Sequence, residues 1–275
     1  MKVKSFSKIN LSLRVLKKLK SGLHNIETNS ALINLFDEIT IKKNYKNQVL
    51  FKGKFKKKVN HQNNSVLDTL KILKEEKIIS HNYKILIKKN IPVFAGLGGG
   101  TSNSASIIKF FLKKKINEKL VNKLEKKIGT DFRLFLNTLS FQSKLGKVSK
   151  LKVDYNINVI VIFPHIDLKT KNVYKLIKNF SPKTRDRYLK SNSKEFFNMI
   201  LNDRNDLQKV VEKKYPKISK LIKTISEQNG CSFARMSGSG SACYGVFKSK
   251  KYANLAINKL RKKYPKYWCV ITKTI

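Results

Sequence analysis

Residues 91–105 read Ile91-Pro92-Val93-Phe94-Ala95-Gly96-Leu97-Gly98-Gly99-Gly100-Thr101-Ser102-Asn103-Ser104-Ala105, and they contain four of the 12 glycines of the chain. Residues 83–89 before them alternate between polar and apolar side chains, which predicts a strand. The residues after them predict a helix to about Lys115, with Thr101, Ser102 or Asn103 as its N-cap. Glycines let the backbone approach a ligand closely, and a helix N-terminus favours negative charge. A flexible turn would explain the glycines alone, but a strand, a glycine run, hydroxyl residues and a helix in that order favour a phosphate-binding loop.

This loop fits neither of two familiar nucleotide motifs. The P-loop requires a lysine immediately before the hydroxyl residue, and Gly100 stands at that position. The dinucleotide fingerprint GxGxxG requires a third glycine, which would fall on Thr101. We therefore expect a third kind of phosphate loop.

The composition predicts a globular protein with one large domain or two of ordinary size. The chain has 275 residues, of which 41% are hydrophobic. A boundary near residue 150 predicts an N-terminal domain of residues 1–150 and a C-terminal domain of residues 151–275. The longest apolar runs, such as residues 159–163, have the length of a strand and not of a membrane span. The three cysteines at 231, 243 and 269 lack metal-site spacing, which predicts reduced thiols and a cytoplasmic protein.

The formal net charge of +43 raises the alternative of a basic nucleic-acid-binding protein. Such a protein is expected to cluster its basic side chains with exposed aromatic residues. Here the lysines are spread along the whole chain, which argues against a nucleic-acid partner. The charge should still attract anionic metabolites such as nucleotides.

Four further features are ambiguous when each is taken alone. Lys8 and Asn10 lie on the polar face of a predicted strand at residues 2–16, where solvent exposure is the default. His24 lies in a loop, as a surface residue or as a contact to a base or phosphate. Asp131 follows Gly-Thr and is either the N-cap of a short helix or a carboxylate held against an active site. The Ser-Gly cluster at residues 237–241 alone would indicate a linker or tight turn.

Three segments taken together are far more specific. They are Lys8-Ile9-Asn10-Leu11, Gly96-Leu97-Gly98-Gly99-Gly100-Thr101-Ser102 and Met236-Ser237-Gly238-Ser239-Gly240. In order and spacing they resemble the three motifs of the GHMP kinase superfamily, which includes homoserine and mevalonate kinases. Within that superfamily, Gly22-Leu23-His24 and Gly129-Thr130-Asp131 resemble the kinases that act on a cytidyl diphosphate substrate in non-mevalonate isoprenoid precursor biosynthesis.

The resemblance implies a two-domain α+β fold with the active site in the cleft between the domains. It implies an ATP-dependent small-molecule kinase that phosphorylates an alcohol group, with Mg²⁺ as the accompanying metal. The expected partners are ATP and the cytidyl substrate, with no membrane partner, and the protein would be a monomer or homodimer. The alternatives are another GHMP kinase with a different substrate, the nucleic-acid-binding protein, and a pseudokinase that has lost activity.

The resemblance also assigns roles to residues. Lys8 and Asp131 match the catalytic pair, in which a carboxylate accepts the proton of a hydroxyl and a lysine stabilises the attacking oxygen. The residues that match the ATP-binding set are Pro92, Gly96, Leu97, Gly98, Gly99, Gly100, Thr101 and Ser102, and Thr101 and Ser102 would also lie near Mg²⁺. The residues that match the substrate-binding set are Asn10, His24, Tyr174, Ser237 and Gly238.

The chain departs from the family pattern at two places near these residues. Leu23 occupies a position where the family usually carries a tyrosine that stacks on cytosine. Phe132-Arg133-Leu134 replaces the more usual Val-Pro-Phe after the catalytic acid. Both departures bear on the geometry of the substrate more than on the use of ATP.

Overall fold

The structure is a computed structural model that describes residues 1–112, 116–184 and 187–275. It has two compact units, each built from separate pieces of the chain. Unit 1 contains residues 1–8, 35–93 and 98–137, and unit 2 contains residues 9–34, 94–97 and 138–275. These units differ from the predicted domains 1–150 and 151–275, because the strands β1 (Lys2–Lys18) and β2 (His24–Asn44) each run from one unit into the other.

Unit 1 combines a small sheet with three helices. Its further strands are β3 (Gln48–Lys52) and β4 (Asn82–Lys88), and its helices are α1 (Ser65–Glu75), α2 (Gly99–Leu112) and α3 (Glu118–Ile128). The second half of β2 pairs antiparallel with β4, which pairs parallel with β3. Short 3-10 turns lie at Lys56–Lys58 and Phe132–Phe135. The helix α1 packs on both α2 and α3, and its side chains Leu70 and Leu73 are fully buried.

The helix α2 begins earlier than the sequence pattern predicts. It starts at Gly99, inside the glycine run, because the amide of Ser102 donates to the carbonyl of Gly98 at 2.9 Å. Thr101, Ser102 and Asn103 therefore lie within the helix, and the prediction that one of them is the N-cap is wrong. The predicted end of this helix near Lys115 lies outside the described residues.

The further strands of unit 2 are β5 (Leu139–Lys144), β6 (Lys147–Lys150), β7 (Asn158–Phe163), β8 (Cys231–Met236), β9 (Cys243–Phe247) and β10 (Trp268–Lys273). Four of them form an antiparallel sheet in the order β10-β7-β9-β8. The helices of unit 2 are α4 (Thr170–Tyr174), α5 (Ser193–Leu201), α6 (Asp206–Lys214), α7 (Pro216–Ser226) and α8 (Lys250–Lys263), with a 3-10 turn at Arg187–Leu189. The first part of β2 pairs with β5, which pairs with β6.

The core of unit 2 lies where the helices cover one face of this sheet. Alternating residues of β7, such as Ile160 and Ile162, meet apolar residues of α6, α7 and α8, such as Val211, Leu221 and Ile257. This packing follows from the strand period of two and the helix period of 3.6. In the part of the chain that the structure describes, no helix combines the length and the apolar character that crossing a membrane would require.

Candidate active site

Lys8 and Asp131 form an ion pair within unit 1. The Nζ atom of Lys8 lies 3.4 Å from Oδ2 of Asp131, and the exposed fractions of the two side chains are 3% and 42%. Asp131 immediately precedes the 3-10 turn Phe132–Phe135, but its side chain makes no capping hydrogen bond to that turn. Of the two alternatives that the sequence leaves open for Asp131, the geometry favours the carboxylate that is available to a ligand.

Gly98 packs directly against this pair. Its φ of +67° lies in the left-handed region that favours glycine. A Cβ at this position would lie 2.5 Å from Cζ of Phe135 and 3.4 Å from Cε of Lys8. No other residue type fits here without moving Phe135. The glycine therefore allows the loop backbone to approach the aliphatic stem of Lys8.

The start of α2 presents backbone amides of the kind that suit an anionic ligand. The first amides of a helix have no intrahelical partner and point outward with a partial positive charge, and here they belong to the glycine run. Thr101, in the first turn, is partly exposed. Ser102 is buried, and its hydroxyl donates to the carbonyl of Phe6 and lies 2.8 Å from the hydroxyl of Ser5. Thr101 therefore fits a ligand to an ATP-bound metal better than Ser102 does.

The segment that leads into the loop is held by a buried ion pair. Lys89 Nζ contacts Asp37 Oδ2, and the exposed fractions of these side chains are 4% and 0%. The other carboxylate oxygen of Asp37 accepts from the amides of Asn90 and Ile91 at 2.8 and 2.9 Å. Because Asp37 contacts three consecutive residues, it fixes the backbone that leads to the buried Pro92. The sequence alone does not reveal this anchor, since Asp37 lies more than 50 residues earlier in the chain.

In unit 2, Ser237 ties β1 to the first part of the glycine loop. Its hydroxyl donates to the carbonyl of Gly96 at 3.1 Å and accepts from the amide of Asn10 at 3.3 Å. Gly96 has a φ of +74°, and a Cβ there would lie 2.1 Å from the carbonyl oxygen of Ser237. Leu97, the next residue, is buried. The second Ser-Gly cluster therefore supports the loop backbone directly, instead of serving as a linker.

Asn205 fixes the other side of the Ser-Gly cluster. Its Nδ2 donates to the carbonyls of Met236 and Gly238, each at 2.8 Å, while its Oδ1 caps α6 at the amide of Leu207. A cap at Asn205 was visible in the sequence as an Asn before Asp-Leu. The contact with Gly238 was not visible, because only the folded chain brings the two segments together.

Two further predicted residues of unit 2 differ in exposure. Asn10 is buried, and its side-chain amide donates to the hydroxyl of Thr28 at 2.8 Å. His24 is half-buried and stacks on Tyr174 with ring centroids 5.0 Å apart, and the ring of Phe180 lies 6.5 Å from it. Burial lowers the pKa of His24 below its ordinary value, and the positive charge of Lys18 lowers it further.

The chain matches two protein families, "GHMP kinases N terminal domain" over residues 64–133 and "GHMP kinases C terminal" over residues 187–266. A 4-diphosphocytidyl-2-C-methyl-D-erythritol kinase of Pelagibacter ubique is 35% identical over 282 residues, which cover 100% of this chain and 99% of the relative. The same kinase of Anaplasma phagocytophilum is 30% identical, with 98% and 93% covered.

Solved structures agree on the fold. A crystal structure of 4-(cytidine 5'-diphospho)-2C-methyl-D-erythritol kinase superposes with a TM-score of 0.77 at 22% identity and covers the full length of both chains. Homoserine kinase from Cytophaga hutchinsonii superposes with a TM-score of 0.71 at 15% identity, with 100% of this chain and 94% of that chain covered. The predicted α+β GHMP kinase fold is therefore confirmed.

Proposed function

The chain belongs to the 4-diphosphocytidyl-2-C-methyl-D-erythritol kinase family of GHMP kinases, and on this premise we propose how its residues perform the reaction. The protein is an ATP-dependent small-molecule kinase. It transfers a phosphoryl group from ATP to the 2-hydroxyl of 4-diphosphocytidyl-2-C-methyl-D-erythritol, a step in the non-mevalonate synthesis of isoprenoid precursors. The observation that carries the mechanism is the contact of Lys8 with Asp131 beside Gly98.

Asp131 accepts the proton of the substrate hydroxyl as the phosphorus–oxygen bond forms. An alcohol is a poor nucleophile, and phosphoryl transfer depends mainly on positioning and on neutralising charge. Lys8 stabilises the negative charge on the attacking oxygen. A buried lysine beside a partly exposed carboxylate suits these roles, because the carboxylate can reach a ligand while the ammonium keeps a fixed position.

The glycine loop binds the phosphates of ATP. Pro92 and Gly96 to Ser102 supply the backbone of this site, and the amides at the start of α2 face the negative charge. Mg²⁺, when bound, neutralises charge on the transferring phosphoryl group. Thr101 is the residue of this chain that would hold it, because the hydroxyl of Ser102 is already bonded to Phe6.

The substrate is held by a second group of residues, all in unit 2. His24 reads the edge of the cytosine base, and Tyr174 stacks on the base. Asn10, Ser237 and Gly238 shape the end of the site near the reacting hydroxyl, in part through the hydrogen bonds that fix their backbone. A site that hydrogen-bonds one base rejects the others, because unpaired buried polar groups are costly.

A coupled assay of ADP release from ATP and 4-diphosphocytidyl-2-C-methyl-D-erythritol tests this function. We expect the wild-type protein to turn over, and Asp131→Asn to lose orders of magnitude in kcat while it still binds a fluorescent ATP analogue. If the wild type releases no ADP with this substrate, the proposed substrate is wrong. If Asp131→Asn keeps full activity, the proposed proton acceptor is wrong.

We also propose that the enzyme works in the cytoplasm. The support is its three thiols, Cys231, Cys243 and Cys269, none of which is part of a disulfide in the structure. Burial raises the pKa of Cys231 to about 11, so this thiol is a weak nucleophile at neutral pH. Reduced, unreactive thiols suit a reducing compartment.

A further inference from the structure

Arg133 lies two residues after Asp131, and its guanidinium is almost completely buried within unit 1. All three of its nitrogen atoms donate hydrogen bonds. Nε donates to Oε2 of Glu125 at 2.9 Å, Nη1 to Oε2 of Glu118 at 2.8 Å, and Nη2 to Oδ1 of Asn122 at 2.7 Å. The three acceptors are spaced at i, i+4 and i+7 along α3, so they share one face of that helix. Arg133 thus fastens the turn Phe132–Phe135 to α3.

The position of Asp131 depends on this turn. The Asp131 side chain is 42% exposed and makes no capping hydrogen bond, so its backbone position and its contact with Lys8 determine where the carboxylate lies. On the opposite side of the turn, Lys109 of α2 donates to the carbonyls of Phe135 and Leu136 at 2.8 and 3.2 Å. Two cations therefore hold the segment that carries Asp131, one from the turn itself and one from α2.

Charge gives Arg133 a second effect on Asp131. Glu125 is mostly buried, and its Oε1 has no hydrogen-bond partner among the described residues. Burial raises the pKa of Glu125, its hydrogen bond with Arg133 lowers it, and the negative charge of Asp131 adds to the rise. Glu125 and Asp131 therefore repel each other, and the guanidinium offsets that repulsion.

We propose that Arg133 is a positioning residue for phosphoryl transfer, which holds the Asp131 segment on α3 and offsets the negative charge that Glu125 presents to Asp131. The proposal rests on the role of Asp131 as proton acceptor given above. Asp131 pairs with Lys8 from β1 and is repelled by Glu125 from α3, while Arg133 pairs with Glu118 and Glu125, and Lys109 from α2 holds the adjacent backbone.

The test is the pH dependence of kcat/KM for the cytidyl substrate in the full-length enzyme. A protonated Asp131 cannot accept a proton, so the acid limb of the profile reports its ionisation. Arg133→Met removes the positive charge that offsets Glu125, so the negative charge of Glu125 then favours the protonated form of Asp131. We expect the acid limb to move to higher pH. We also expect a 10- to 100-fold loss of kcat/KM, roughly the cost of a displaced catalytic group. Glu125→Gln removes the repelling charge, and we expect the limb to move to lower pH by about 0.5 unit.

Two variants separate this role from a structural one. Arg133→Lys keeps the charge but loses the three-way bond, so the limb should stay in place while kcat falls. Arg133→Met with Glu125→Gln should return the limb toward its wild-type position, and this pair also serves if Arg133→Met alone does not fold. KM for ATP should change little in every variant.

Arg14→Met is the matched control. Arg14 makes a similar guanidinium–carboxylate pair in unit 2, with Nη2 2.9 Å from Oδ1 of Asp203. We expect this variant to lose stability without moving the acid limb. If Glu125→Gln and Arg133→Met also leave the limb unmoved while Asp131→Asn remains inactive, the proposal for Arg133 is wrong and the proposed function stands. If Asp131→Asn is active, the proposed role of Asp131 as proton acceptor fails instead.

Discussion

The ammonium group of Lys8 lies 3.4 Å from the carboxylate of Asp131, yet only 3% of the Lys8 side chain is exposed. We expect Lys8→Met to keep the stem packed against Gly98 while it removes the charge that stabilises the attacking oxygen. The loss in kcat should be about 100- to 1,000-fold, as for other single donors to a transition state. ADP release measures it.

Lys84→Met is the control for Lys8, because Lys84 is an exposed lysine on β4 of the same unit. It should have wild-type kcat. A Lys8→Met enzyme with wild-type kcat and an unfolding curve like that of the control would remove Lys8 from the mechanism.

Gly98 should not tolerate a methyl group. Gly98→Ala places a Cβ against Phe135 in addition to the strain of a φ of +67°. Left-handed backbone costs an L-residue roughly 1–2 kcal/mol, and overpacking adds about 1–3 kcal/mol. We expect a lower urea midpoint and a lower kcat, because Phe135 and the turn that carries Asp131 must move.

Gly146→Ala separates the two costs. Gly146 has a φ of +75°, and a Cβ there would meet nothing within 4 Å. It should show only the strain cost and keep full activity. Equal destabilisation of the two variants would mean that the contact with Phe135 has no energetic weight.

The sequence predicted the family and the fold because three local motifs follow each other in the right order, and glycines with hydroxyl residues can be recognised without knowing their neighbours. The contacts that support those motifs could not be predicted in the same way. Ser102 binds Phe6 and Asn205 binds Gly238, and each pair is far apart in the chain. The start of α2 at Gly99 likewise depends on packing around Gly98, where propensity alone favours a later cap.

The role of His24 predicts a pH effect with a definite sign. Neutral imidazole can donate one hydrogen bond and accept another, whereas the protonated form can only donate. Protonation therefore removes the hydrogen bond that the ring accepts from a donor group on the base. Because the pKa of His24 is lowered, the ring remains mostly neutral as the pH falls through about 6.5, the ordinary pKa of histidine, and becomes protonated only at lower pH. KM for the cytidyl substrate should therefore stay constant from alkaline pH to that point and rise only below it.

His24→Ala should raise this KM about 10-fold or more, as expected for a lost hydrogen bond to a base, and should abolish the rise at low pH. His81→Ala is the control, because His81 is exposed in unit 1. An unchanged KM in His24→Ala would refute the base-reading role.

Replacing Leu23 with tyrosine should increase the affinity for the cytidyl substrate. The Leu23 side chain is 45% exposed, and the residue immediately precedes His24, which stacks on Tyr174. An aromatic ring that stacks on a base contributes about 1–3 kcal/mol, so Leu23→Tyr should lower KM for the cytidyl substrate by roughly 5-fold or more without changing KM for ATP. Leu255→Tyr, at a 54% exposed position on α8, should change neither value. If Leu23→Tyr also leaves KM unchanged, residue 23 does not contact the base.

Removing one partner of the ion pair of Asp37 with Lys89 should strongly destabilise unit 1, because both side chains are buried. Asp37→Asn keeps an oxygen that can accept from the amides of Asn90 and Ile91, but it leaves a buried lysine without its counter-charge. Such a loss costs about 3–5 kcal/mol, measured by urea denaturation.

Two further variants show whether the cost comes from the charge. Asp37→Asn combined with Lys89→Met removes both charges and should recover most of the lost stability, since an apolar side chain tolerates burial. In the neighbouring pair, Nζ of Lys88 lies 2.9 Å from Oε1 of Glu38, but these side chains are 45% and 50% exposed. Glu38→Gln should leave stability almost unchanged, because solvent screens exposed pairs. If Asp37→Asn were as mild as Glu38→Gln, the charge of Asp37 would not be needed for stability, and the hydrogen bonds to the amides of Asn90 and Ile91 would be sufficient.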